Sequence, residues 1–315
     1  AATAAVAAPS LLAQSATWPS KPIRIVVPYP PGGSSDIIAR SISTLLGDSL
    51  KQSVIVENKA GANGNLGTDF VAKSPADGHT FLLTPAALIA NAAFGVSVPY
   101  DIDKDLVPVV GFVDLPMLLA ASNNAPFKSV AELLAWSKQP GRTVNYASAG
   151  IGSLTHLWGE YVKARTGMPM EHVGYKGSAE ALRDVVAGHV PLFADVLVPT
   201  ATAIKAGQLR GLAVAMTARS ELLPDVPTVG EAGLPGMEGT VPFGISVPGG
   251  TPASVVIRLN TAFNEALSDS SIRRRLIELG FVPVGGAPQA YSAMLASEIV
   301  KWRKVIKDSN IPPPS

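Results

Sequence analysis

Apolar residues in the first third of the chain fall in short runs separated by amphipathic stretches. Residues 23–27, 54–57 and 80–83 read as strands, and the stretches at about 36–50 and 66–73 carry helical spacing between them. This alternation predicts a parallel sheet flanked by helices. Two further apolar runs, 107–112 and 117–121, precede a second alternating series. Its strands are expected near 144–147, 170–173, 192–194 and 210–215, with helices near 130–138, 154–166, 179–187 and 200–206. Ser129 and Glu132 supply a capping box for the first of those helices. A stretch rich in proline and glycine, 223–252, then breaks the pattern and leaves room for one short strand, 244–247. Three helices follow, around 254–268, 271–279 and 288–307, and each needs a sheet face to bury its apolar stripe.

Two loops in this pattern have the makings of anion sites. The first predicted strand runs through Tyr29 into Gly32-Gly33-Ser34-Ser35-Asp36 and then into a helix. Glycine lets the backbone approach a ligand, a serine or Asp36 can cap the helix, and the remaining first-turn N–H groups suit an oxyanion such as a carboxylate. The same plan recurs where 144–147 leads through Ser148-Ala149-Gly150-Ile151-Gly152-Ser153 to a helix near Leu154, with Thr155 and His156 in its first turn. Two such grips predict two lobes. The plain alternative is a tight turn with ordinary serine caps.

The order of these segments resembles a known family. Its landmarks are 18–29 (Trp-Pro-Ser-Lys-Pro-Ile-Arg-Ile-Val-Val-Pro-Tyr), 60–67 (Ala-Gly-Ala-Asn-Gly-Asn-Leu-Gly), 75–80 (Pro-Ala-Asp-Gly-His-Thr), 145–150, 175–177, 222–229 and 231–235. Together they make the chain resemble the extracytoplasmic solute-binding proteins of tripartite tricarboxylate transporters, the TctC or Bordetella uptake (Bug) family. The resemblance implies an α/β fold of two lobes, like periplasmic binding proteins, each lobe a mainly parallel sheet flanked by helices, with the ligand cleft between them. It returns the last helices to the first lobe, which gives lobe one at 17–122 plus 245–315 and lobe two at 123–244. Two crossing segments then form a hinge suited to closure on a ligand. The implied function is capture of a small carboxylate, a dicarboxylate, tricarboxylate or aromatic acid, and its delivery to integral membrane transporter subunits. No enzymatic activity, cofactor, metal, nucleic acid or membrane insertion is expected, and the protein is expected to be a monomer. A sensor docking on a two-component receptor is the alternative.

Composition narrows the field further. The 315 residues are 47% hydrophobic and 16% charged, ample for two cores. Twenty-five basic residues against 24 acidic ones leave no bulk field to recruit nucleic acid or an anionic membrane. With no cysteine, disulfides, thiolate metal sites and thiol nucleophiles are excluded. Residues 1–16 resemble the apolar end of a signal peptide, with 13–15 a plausible cleavage run, which points to the periplasm.

The ligand-binding set predicted from the first loop is Tyr29, Gly33, Ser34, Ser35 and Asp36. From the second come Ser148, Ala149, Gly152, Ser153, Thr155 and His156, where the resemblance implies binding by main-chain amides, small polar groups and ordered water. Thr84 and Ala86 after the third strand, Tyr175 and Gly177 before a helix, and Asp195 after a strand complete the set. Many relatives carry a more polar run at 84–87, and the departure here favours a less polar acid, aromatic ones included. Asp195 is awkward beside an anion; it is expected to hold water, to face a ligand ammonium or hydroxyl, or simply to end its strand. The 61–67 glycines lack the lysine of a phosphate loop and read as a structural turn.

Rival chemistry is weak. Gly150-Ile-Gly152 with Glu171 downstream echoes a dinucleotide fingerprint, but Thr155 replaces its third glycine. Neither Ser34 nor Ser153 sits in a nucleophile elbow, so serine hydrolysis has little support. His79, His156, His172 and His189 form no metal-ligand cluster; His156 and Glu160 share a helix face and read as a surface contact. Trp158, one turn from the second loop, is a core residue by default and a wall for an aromatic ligand otherwise.

Overall fold

The computed structural model describes residues 18–314, so the leader at 1–16 and its cleavage run lie outside the described residues. The apolar runs form the strands their pattern predicts. In the first lobe β1 (Ile23–Val27) lies between β2 (Val54–Asn58) and β3 (Thr80–Thr84), parallel to both. Helix α1 (Ser34–Leu50) follows β1, α2 (Asn65–Ala72) precedes β3, and α3 (Ala86–Phe94) follows it.

In place of two strands at 107–112 and 117–121, one 17-residue strand, β4 (Leu106–Ser122), runs through both lobes. The polar break at Asp114 and the prolines Pro108 and Pro116 sit inside it, with register shifts at 108–110 and 111–113 marking bulges. The second lobe contains α4 (Val130–Ser137), β5 (Val144–Ala147), α5 (Leu154–Thr166), β6 (Met170–Val173), α6 (Ser178–Ala187), β7 (Leu192–Val196), α7 (Leu197–Lys205) and β8 (Leu209–Val214). There β5 pairs in parallel with β6 and β7, while β7 and β8 flank β4 antiparallel. The chain returns along β9 (Thr240–Pro248), longer than the 244–247 expected, antiparallel between β3 and β4. It ends in α8 (Ala253–Ser268), α9 (Ser270–Glu278), the two-residue β10 (Val282–Pro283) and α10 (Pro288–Asp308). Helix α8 packs on α1, and α10 packs on α3 and β4. Helix α10 also touches α5 of the second.

Two parallel triplets are thus bridged by one antiparallel ribbon, and the register fixes their orientation. Thr84 at the end of β3 lies opposite Gly244, which lies opposite Gly111, whereas Val196 at the end of β7 lies opposite Met117. The carboxyl ends of both triplets therefore face the same stretch of β4, six residues or about 20 Å of strand. That is where open α/β sheets bind ligands. At the crossing, β4 exchanges its β9 partner for β7 and β8, and Met117 N–H donates to the Gly239 carbonyl at 3.0 Å.

Candidate ligand site at the strand ends

The first grip is a helix N-terminus left open. Gly32 has φ +87°, a conformation glycine adopts without penalty, and the extended Gly33 caps α1 without a side-chain hydrogen bond. A Cβ added at Gly33 would meet nothing within 4 Å. The first helical amides with main-chain partners are those of Asp36 and Ile37, both bonded to the Gly33 carbonyl, so Ser34 and Ser35 N–H groups have no partner among the described residues. Asp36 fixes the turn: its buried carboxylate accepts from Gly32 N–H at 3.1 Å, from Arg40 Nε at 2.9 Å and from Asn58 Nδ2 at 3.1 Å. Arg40 foremost holds its carboxyl below the usual range, so the negative charge beside an anion site is already balanced. Half-buried Tyr29 is pushed up to about 12 by burial, against the opposing Ala87 main-chain amide at the start of α3.

The residues after β3 behave differently from a loop. Thr84 ends the strand, buried, with its hydroxyl 2.8 Å from that of Ser246 on β9, and Ala86 opens α3 directly. The glycine run at 61–67 is structural and lies just behind the grip: a Cβ on Gly64 would come within 3.5 Å of Pro28 and Pro85 side chains, and one on Gly67 within 2.8 Å of Pro28. Asn65 in that run accepts from Tyr100 Oη at 2.8 Å and from Asn91 Nδ2 at 3.0 Å.

The second grip is closed on itself. Ala149 N–H donates to Thr155 Oγ1 at 3.2 Å, Gly150 N–H to Ser148 Oγ at 3.2 Å, and Gly152 N–H to His156 Nδ1 at 3.2 Å. Ser153 donates its hydroxyl to the Gly150 carbonyl at 2.7 Å and caps α5 by accepting from His156 N–H at 3.1 Å. The amides of 149, 150 and 152 are thus taken by side chains of the same loop, and those of Leu154 and Thr155 have no partner among the described residues. His156 accepts at Nδ1 and is therefore neutral; burial lowers its basicity, partly opposed by Glu160. His156 and Glu160 are not the surface pair their spacing suggests: both are buried, and Glu160 Oε1 accepts from Tyr146 Oη at 2.7 Å.

Ser148 Oγ and His172 Nε2 stand 2.8 Å apart, a spacing seen in nucleophile and base pairs. Two facts rule against that chemistry. Ser148 is fully buried, and burial with His156 stacked 4.1 Å away pushes His172 down to about 3, too weak a base for neutral pH. Trp158 is a core residue and no ligand wall, since it is fully buried with Nε1 donating to the Met237 carbonyl at 2.9 Å.

Beside this loop, a Cβ on Gly150 would stand 2.6 Å from the Tyr175 carbonyl, so 148–153 and 174–178 are neighbours. The Tyr175 phenol is turned away and donates to Asp184 Oδ2 at 2.8 Å; Gly177 caps α6 with an extended backbone. Asp195 lies within β7 rather than after it, buried, with Oδ1 accepting from Val196 N–H at 2.7 Å and Oδ2 unpartnered. Burial pushes it up to about 7, against lowering by the Ser178 hydroxyl and the Val196 amide. A groove of about 490 Å³ lined by Arg24, Phe70, Lys73 and Thr80 lies at the opposite, amino-terminal ends of β1 and β3 and takes no part in this cluster. Among the described residues no group of three or more His, Cys, Asp or Glu side chains could hold a metal, and no helix is long and apolar enough to cross a membrane.

Two α/β lobes with helix amino termini gathered at facing strand ends define the architecture of a solute-binding protein. Residues 38–311 match the family model described as tripartite tricarboxylate transporter family receptor, TctC, and the chain belongs to that family. The chain is 36% identical over 310 residues to protein BugT of Bordetella pertussis, covering 98% of this chain and 94% of that one. Among solved structures, R. palustris Rpa4515 with adipate superposes with a TM-score of 0.87 at 37% identity, covering 94% of this chain and all of that one. MatC from Rhodopseudomonas palustris with bound malate superposes at 0.80 with 31% identity, covering 92% and 100%. The family and these neighbours are substrate-binding proteins rather than enzymes, which removes the dinucleotide and hydrolase alternatives.

Proposed function

We propose that this protein captures a small carboxylate between the loop 29–36 and the loop 148–156, closes its lobes over it, and delivers it in the periplasm to the membrane subunits of a tripartite transporter. The open α1 N-terminus carries the reading: two unpartnered amides at Ser34 and Ser35, behind a turn whose own carboxylate is balanced by Arg40. The buried, largely apolar setting of Ala86 and Ala87 favours a ligand with an aliphatic or aromatic body. Two structural neighbours are described with dicarboxylates, adipate and malate, which supports an anionic ligand. The two crossings near 116–117 and 239–240 serve as the hinge, and the ligand favours closure only as far as it binds the closed form better.

A thermal-shift screen of refolded, ligand-stripped protein tests this reading against adipate, malate, citrate, glutamate, benzoate and a nicotinamide dinucleotide. A true ligand at about one hundred times its Kd adds roughly 2.7 kcal/mol, several degrees of Tm. Stabilisation by an acid is expected; silence from every acid would overturn the proposal.

A further inference from the structure

Lobe two's cluster has an electrostatic gap. His156 and His172 are neutral, the amides of 149, 150 and 152 are bonded internally, and no cationic side chain is buried there. Among the buried side-chain atoms described in this lobe, Asp195 Oδ2 is left without a partner, on a side chain that is 1% exposed.

Its position follows from register. Ala147 lies opposite Phe193, so Asp195, two residues on, stands level with the Ala149 turn and on the same sheet face as Phe193. That face is covered by α6 and α7. The N-terminal turn of α6 brings up Ser178, whose hydroxyl faces the carboxyl without closing a hydrogen bond to Oδ2. From β4 the neighbour is Leu118. Lys176 before α6 and Glu180 in its first turn are exposed, and Asp184 on α6 is held by Tyr175. Lys205 sits in the last turn of α7, and His172 on β6 is held by Ser148. No charge contacts the group.

We infer that Asp195 is a specificity-determining residue that binds in its protonated form, donating from Oδ2 to the anionic ligand, so that capture of a carboxylate takes up one proton. This rests on the carboxylate reading of the site. A buried, unpaired carboxylate facing an oxyanion is costly, whereas the neutral acid adds a side-chain donor beside the uncapped start of α6. The burial that raises the group to about 7 makes the proton available near neutral pH. The acid binds as the anion, and the proton comes from solvent to Asp195.

Isothermal titration of the full chain with adipate, and with malate and benzoate, between pH 7 and 9 tests this, because all three acids are fully ionised there. His156 and His172, held low, and Asp114, raised to about 6, do not titrate in that interval. The expected result is affinity falling by up to about tenfold per pH unit above the Asp195 value, with about one proton taken up as judged from buffers of different ionisation enthalpy. The isosteric Asp195→Asn keeps a donor and should bind with an affinity independent of pH. A flat wild-type profile with no proton uptake, a slope that persists in Asp195→Asn, or tighter binding as pH rises would overturn the inference while leaving carboxylate capture intact. Should Asp195→Asn fail to fold, the wild-type proton count decides alone. Failure of all three acids to bind at any pH would instead remove the carboxylate reading, and the inference with it.

Discussion

The loops before α1 and α5 start from one plan, a strand running through glycine and serine into a helix, and differ in how the turn is held. Before α1, a single carboxylate, Asp36, gathers the Gly32 amide, Arg40 and Asn58, and the first helical amides stay open. Before α5, three side chains of the same loop, Thr155, Ser148 and His156, take the amides of 149, 150 and 152, while the Leu154 and Thr155 amides have no partner among the described residues. Motif likeness therefore does not measure readiness to bind. The first turn is held by one carboxylate and leaves the amides of 34 and 35 at a half-exposed helix start, while the second is held by three side chains and its first helical residues, Leu154 and Thr155, are buried.

The sharpest break of this comparison is Gly33→Val. Its Cβ enters open space, so the fold is spared while the branches cover the Ser34 and Ser35 amides. Because a charge-assisted hydrogen bond contributes about 1.5–3 kcal/mol, losing both should weaken carboxylate binding about 100-fold or more by calorimetry, with Tm little changed. Ser34→Pro is milder. Proline is welcome at the first helical position but removes one donor, so Kd should rise about 10- to 100-fold. Unchanged affinity in both variants would end the assignment of the first loop.

Thr155→Val probes the other side. It leaves the Ala149 amide without its acceptor and should cost about 1–3 kcal/mol of stability in denaturant unfolding. Its effect on affinity should be smaller than that of Ser34→Pro; the reverse order would mean that the second loop holds the anion. Acid separates the loops more gently. His172 in the folded state lies at about 3, below its ordinary 6.5, so the folded chain binds fewer protons between these values and this contribution is lost as pH falls through them. Asp36 is also lowered, from 3.8, so its contribution is present above that value and fades only below it. Asp195 at about 7 and Asp114 at about 6 act with opposite sign, gaining stability as pH falls toward 3.8, so a global Tm would blur the effect. Amide exchange near pH 4.5 should instead show Ala149 and Gly152 losing protection before Gly32.

Most of the fold was legible in the sequence because its strands and outer helices are one-sided. Helix α1 buries Ile38, Ile42, Leu46 and Leu50 at helical spacing and exposes Ile37, Arg40, Thr44 and Asp48, and that periodicity is visible without coordinates. Helix α3 was not, because Ala86–Phe94 is apolar at every position but Asn91, wedged between sheet and α10, and such a run gives no clear period. The continuity of β4 escaped for a related reason: Asp114 and Pro116 look like breaks until β9 and β10 pair across them. At the site, the glycines and serines announced both loops, but their difference rests on tertiary facts. Nothing in the order of residues says that His156 will be buried neutral with Nδ1 toward Gly152, or that Asp195 will keep an unpartnered oxygen.

The central claim is that a carboxylate is held by the open amides of α1. Nitrogen-15 amide spectra of deuterated protein titrated with adipate and malate address it atom by atom. The account predicts large, saturating shifts at Ser34 and Ser35 for an acid that binds, with smaller ones around 149–152. Binding that leaves Ser34 and Ser35 unmoved would contradict it.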